Sequence, residues 1–100
     1  MLRVYLSAAA ASDLARLEEF LWLTDDRLAY DLLDFILNAL QVLTHQPGIG
    51  RPVGNGLREL IISRRKSGCL AKYEIDEAAN IVRVLRIRHQ HESGYTAEEI

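Results

Sequence analysis

The sequence predicts an α+β domain: a two-helix hairpin packed on one face of a mostly antiparallel four-stranded sheet, in the order β-α-α-β-β-β. Three observations predict it. The chain opens on an alternating apolar stretch, Leu2, Val4 and Leu6. Two segments of helical periodicity follow with no strand between them. After a loop that holds both prolines and four of the six glycines, apolar residues recur with period two to near the end. With 100 residues there is room for one core only, so residues 1–96 are read as a single domain and 97–100 as a polar tail.

Leu2, Val4 and Leu6 alternate with Arg3 and Tyr5, the pattern of a half-buried strand over residues 2–6. Ser7 then offers a hydroxyl to cap a helix over about residues 8–23, which opens on Ala8 to Ala11 and continues through Leu14, Leu17 and Leu21. Thr24-Asp25-Asp26 separates it from a second helix over about 26–44. That helix carries two apolar stripes: Ala29, Leu33, Ile36, Leu40 and Leu43, and beside them Leu28, Leu32, Phe35, Ala39 and Val42. One stripe suffices for a helix lying on a sheet, so the surplus points to cover by the first helix, by a partner protein or by a second copy. The segment from Gln46 to Gly56 reads as a loop by composition. It is not a phosphate-binding loop, because no Gly-Lys-Ser/Thr follows it and a strand comes next. Strands are expected at 57–63, 69–75 and 81–89, joined by the basic turn Arg64 to Gly68 and by Asp76 to Asn80.

The net charge of −2 hides an asymmetry. Residues 1–50 hold three Arg against seven Asp and Glu, whereas residues 51–91 hold nine Lys and Arg against four acids. Such a division marks a surface for an anionic partner or two halves that attract each other. The single cysteine, Cys69, fits a reducing compartment and reads as core. The N-terminus is too short and interrupted for a signal peptide, and no apolar run approaches the roughly 18 residues of a membrane span, so a cytoplasmic location without membrane contact is expected.

In the last strand, the phase of Ile81, Leu85 and Ile87 assigns one side to the helices and leaves Val82, Val84, Arg86 and Arg88 on the other. Two guanidiniums at i and i+2 make an anion platform, or else pair across strands with acids such as Glu59 or Glu74. Arg51 and Arg58, flanking the start of the neighbouring strand, extend the same basic patch. His89, His91 and Tyr95 follow directly and could act as general acid and base beside the arginines. Two histidines without a third ligand make a poor metal site, and His45 reads as a cation at a helix C-terminus. No nucleophile elbow or triad signature is present, and no cofactor is expected.

Taken together, several segments resemble the RelE/ParE toxin superfamily, whose members are often labelled plasmid stabilisation proteins. These are Leu6-Ser7 before an alanine-rich helix, Pro47-x-x-Gly50-Arg51-Pro52, Leu57-Arg58-Glu59-Leu60, the Ser67-Gly68 turn before a strand containing Tyr73, and the run from Val84 through Arg86-Ile87-Arg88-His89-Gln90-His91 to Tyr95. The similarity covers about residues 2–96. It implies the fold read above and a cognate antitoxin wrapped along the helices, for which Leu28, Leu32, Phe35 and Val42 are the expected contacts. It also implies one of two targets. RelE-like members cut messenger RNA on the ribosome, and here the corresponding catalytic set would be Arg86, Arg88, His89, His91 and Tyr95. ParE-like members poison DNA gyrase, and Arg51, Arg58, Arg86 and Arg88 would then bind the target. The sequence departs from the nuclease pattern: Glu59 and Ile61 stand near the places of alternating lysines, and Leu70 at the place of an arginine. The resemblance therefore favours a ParE-like gyrase inhibitor, with the ribosomal nuclease and a non-toxic degenerate member as alternatives.

Overall fold

The computed structural model describes residues 1–24, 26–64 and 67–89, with side chains described outside residues 20–32 and 63–67. Strand β1 (Arg3–Leu6) leads into helices α1 (Ala8–Thr24) and α2 (Asp26–Gln41). Two 3-10 turns, Val42–Thr44 and Pro47–Ile49, precede β2 (Arg51–Gly54), β3 (Leu57–Arg64), β4 (Ser67–Asp76) and β5 (Ile81–His89). The expected helices are present, the second tightening into 3-10 geometry over its last three residues. The strands form one sheet in the order β1-β5-β4-β3-β2. Among the described residues only β1 and β5 run parallel, and the other pairings are antiparallel.

The sheet has five strands where four were expected. The extra one, β2, lies within the stretch whose proline and glycine content reads as loop. It is tolerated there because it is an exposed edge strand, where Pro52 deprives the sheet of no inner hydrogen bond. Asn55 and Gly56 both have positive φ, 56° and 75°, as the two central residues of a tight β-hairpin require.

Both helices cover one face of the sheet. Ala10 and Leu17 of α1, Ile36 and Leu40 of α2, and Leu43 meet Ile62, Cys69, Ala71, Tyr73, Val82, Val84 and Ile87 in one core. The first of the two α2 stripes thus supplies the core residues Ile36, Leu40 and Leu43, while Phe35 and Ala39 of the second pack at its margin. Val42, from that second stripe, is 42% exposed.

Strand β5 corrects the face assignment made from its alternation. Tyr73 pairs with Val84 and Lys72 with Arg86, so Leu85 is an extra residue and the strand bulges there. Before the bulge, Val82 and Val84 face the helices; after it, Ile87 and His89 do. One inserted residue reverses the phase, which is why Val82, Val84 and Ile87 share the core although their numbers differ in parity.

Tyr73 ties the β4 strand to the turn before β2. Fully buried, it accepts the Gly50 N–H at 2.9 Å and donates to the Pro47 carbonyl at 2.5 Å. Arg58, beside it on the same face, donates to the carbonyls of Gly48 (3.1 Å) and Gly50 (2.7 Å). A Cβ on Gly50 would stand 2.6 Å from the Tyr73 hydroxyl and 2.9 Å from the Glu59 carbonyl, so glycine is required here by space. The Pro47-x-x-Gly50-Arg51-Pro52 segment is therefore a structural clamp. Tyr73→Phe removes both hydrogen bonds of the hydroxyl and should lower unfolding free energy by about 1–3 kcal/mol, read by urea denaturation. Gly50→Ala should destabilise as well, since backbone on one side and a locked ring on the other leave the methyl no room; wild-type midpoints for both variants would refute the clamp.

Candidate functional site

The helix-free face of the sheet is built by the residues that alternate with the core. On β4 these are Leu70, Lys72, Glu74 and Asp76, between the buried Cys69, Ala71 and Tyr73. Cross-strand pairing arranges their neighbours in rows. Ile61, Leu70 and Arg88 form one row; Arg51, Glu59, Lys72 and Arg86 the next; Leu57, Glu74, Arg83 and Tyr5 a third. Ile61 is 50% exposed and Tyr5 47%.

Most arginines of this face are engaged within the fold. Arg51 grips the buried Glu59 carboxylate through Nη2 at 2.6 Å and Nε at 3.2 Å. Arg83 pairs with Glu74, and its other terminal nitrogen lies 3.8 Å from Asp76. Arg86 reaches over the sheet edge to Asp13 of α1 in a two-pronged contact, Nε to Oδ2 at 2.8 Å and Nη2 to Oδ1 at 3.0 Å. Of the residues expected to bind a target, Arg51, Arg86 and Arg88 share the open face, whereas Arg58 lies on the opposite one. His89 is also on the helix side and is 5% exposed, apart from Arg86 and Arg88. His91 and Tyr95 lie outside the described residues, and so do the side chains of Leu28 and Leu32. Among the described residues no three His, Cys, Asp or Glu side chains come together as a metal would require. None of the described helices is long and apolar enough to cross a membrane.

Asp13 is the functional-region residue that sequence reading passed over. β1 stops at Leu6, opposite Val84, and the remaining edge of β5 is met by the start of α1. The Ser7 N–H donates to the Val84 carbonyl at 2.9 Å, and its hydroxyl donates to the Leu85 carbonyl at 2.9 Å while accepting the Ala10 N–H at 3.0 Å as the helix cap. One turn on, Asp13 Oδ2 accepts the Ile87 N–H at 2.9 Å. The available signal was an acid in a buried helical stripe: Ala10, Asp13 and Leu17 are spaced by three and four, and all three are buried.

Burial pushes the Asp13 carboxyl up, but the Arg86 and Ile87 hydrogen bonds and the charges of Arg86 and Arg16 outweigh it, and the carboxyl titrates below its usual range. A depressed folded pKa contributes stability that is complete above the unfolded value of about 4 and is lost as pH falls through the folded one. Asp13→Asn should therefore cost about 1–2 kcal/mol at neutral pH, modest because the half-exposed Arg86 can turn to water, and the variant should lose less further stability than wild type on acidification below about pH 4. Parallel acid limbs in the two proteins would show that Asp13 does not carry this linkage.

Comparison with known proteins agrees with this architecture. The profile of the ParE toxin of type II toxin–antitoxin systems, parDE, matches residues 4–94. No curated protein matches the chain. A solved structure titled as a chromosomal ParDE toxin–antitoxin system from P. aeruginosa is 23% identical, covers 88% of this chain and 95% of its own, and superposes with a TM-score of 0.72. The toxin–antitoxin complex RelBE2 from Mycobacterium tuberculosis is 24% identical, with 89% and 98% coverage and a TM-score of 0.59. At these identities the two structures share a fold with this chain. The profile match spans nearly the whole domain, and the chain belongs to the ParE toxin family of type II toxin–antitoxin systems.

Proposed function

We propose that this chain is a toxin that inhibits DNA gyrase and is neutralised by a cognate antitoxin. Family membership supports the toxin role, and one observation supports gyrase over the ribosome. The open face carries Glu59, Ile61 and Leu70 in adjacent cross-strand rows, where a ribosome-dependent nuclease of this superfamily would hold cations. A phosphate backbone gains affinity from every lysine and arginine it meets and loses it to carboxylates. The nuclease reading further needs a general acid or base beside Arg86 and Arg88. His89, the expected candidate among the described residues, is buried on the helix side. If this reading holds, the purified protein inhibits gyrase-catalysed supercoiling and leaves mRNA intact after induction. Cleavage of mRNA with unaffected supercoiling would reverse the assignment, and growth without either effect would indicate a member that has lost toxicity.

The antitoxin is assigned to the second stripe of α2, where Leu28, Leu32, Phe35 and Val42 are the contacts proposed and Val42 is 42% exposed at the helix end. The solved relatives are titled as toxin–antitoxin systems, which supports a protein partner of this kind. A homodimer through the same stripe is the competing occupant. Val42→Asp should leave growth inhibition unchanged while weakening rescue by the cognate antitoxin at least tenfold, because an exposed apolar contact is replaced by a charge that must be desolvated. Undiminished rescue would move the antitoxin elsewhere.

A further inference from the structure

We propose that the open sheet face is the surface that grips the toxin's target, and that it fits a protein surface with an apolar side chain flanked by carboxylates. The inference rests on the toxin reading above and specifies its target contact. Its apolar element is the pair Ile61 and Leu70, directly opposite each other on β3 and β4 in the described row nearest the β3–β4 turn, with Ile61 half exposed. Arg88 continues that row on β5, and Lys72 stands in the next row on the same strand as Leu70. An aliphatic pair on a rigid sheet, with charge in its own row and in the next, offers a partner protein an apolar anchor and a polar flank.

The sign of the rim selects the partner. Among the described residues the face bears Arg3, Arg51, Lys72, Arg83, Arg86 and Arg88 against Glu59, Glu74 and Asp76, six cations to three anions and so a formal +3. The helical layer is the reverse: among its described side chains Arg16 stands against Asp13, Glu18, Glu19 and Asp34. The molecule is thus polarised through its thickness, and an acidic protein approaches sheet-first. A nucleic acid fits less well. Nucleic-acid affinity comes mainly from many phosphate contacts, and Arg51, Arg83 and Arg86 are engaged with carboxylates of the fold, so a partner that also uses the apolar pair is favoured. Ile61 and Leu70 offer a phosphate nothing.

Substitutions of opposite sign at Ile61 separate the partners. In cells induced to express the full chain, Ile61→Glu and Ile61→Lys should each reduce growth inhibition at least tenfold by colony count. Arg88→Glu should do the same. The position is half exposed, so melting temperatures of the purified variants should stay near wild type, and far-ultraviolet circular dichroism checks that they are folded. Growth inhibition that survives Ile61→Glu overturns the surface. Inhibition preserved or strengthened by Ile61→Lys, together with binding of a fluorescein-labelled single-stranded RNA at physiological salt, overturns the protein partner in favour of nucleic acid. A wild-type chain that does not inhibit growth fails at the earlier step: it removes the toxin reading itself and takes this inference with it.

Discussion

Strand β5 outruns β1, its parallel neighbour, by the five residues from Leu85 to His89, and the peptide groups of that overhang need partners. The first turns of α1 supply them. Ser7 closes the last rung with its N–H, caps the helix with its hydroxyl and holds the Leu85 carbonyl with the same oxygen, and Asp13 receives Ile87. The helix is thereby hung on the edge of the sheet at two points one to two turns apart. Its buried stripe, Ala10 and Leu17, must then lie on the face that carries Val82, Val84 and Ile87. The bulge at Leu85 belongs to the same arrangement, since it brings Ile87 into phase with the core and sends Arg86 to the Asp13 carboxylate.

A second constraint acts at the far side of the sheet. Tyr73 lies in the middle of β4, and its hydroxyl binds two backbone groups of the turn between the 3-10 segment and β2. Gly50 is kept small by that ring, and Arg58 holds the Gly48 and Gly50 carbonyls from the neighbouring strand. Consequently β2 enters the sheet at a set register, and Arg51 meets Glu59. Residues that look basic and available in the sequence are thus consumed in fixing strand ends, which leaves the described open face with the apolar pair Ile61 and Leu70 and only a modest excess of positive charge. Charge of this size on a protein surface steers and selects more than it supplies affinity. The helices, with the proposed antitoxin contacts Phe35 and Val42, lie on the other side of the sheet from the proposed target face.

Length, alternation and helical spacing were enough to predict two helices on one face of an antiparallel-rich sheet, because those patterns report local geometry and which side of each element avoids water. Ser7 as a cap, Cys69 in the core and the doubly apolar α2 were legible for the same reason. Pairing was not. That β1 lies beside β5, that an exposed Pro- and Gly-rich stretch forms an edge strand, and that Arg51 meets Glu59 are contacts between residues distant in sequence. Asn55-Gly56 was a hairpin signal in plain view, outweighed by the composition around it. The bulge at Leu85 was invisible, since period-two counting assumes an unbroken ladder. The amino-acid sequence by itself determined the elements and the layer they form, through local stereochemistry and hydrophobic burial. Which arginines remain for a partner was decided only by tertiary structure, because a guanidinium is committed or available according to which carboxylate or carbonyl the fold brings to it.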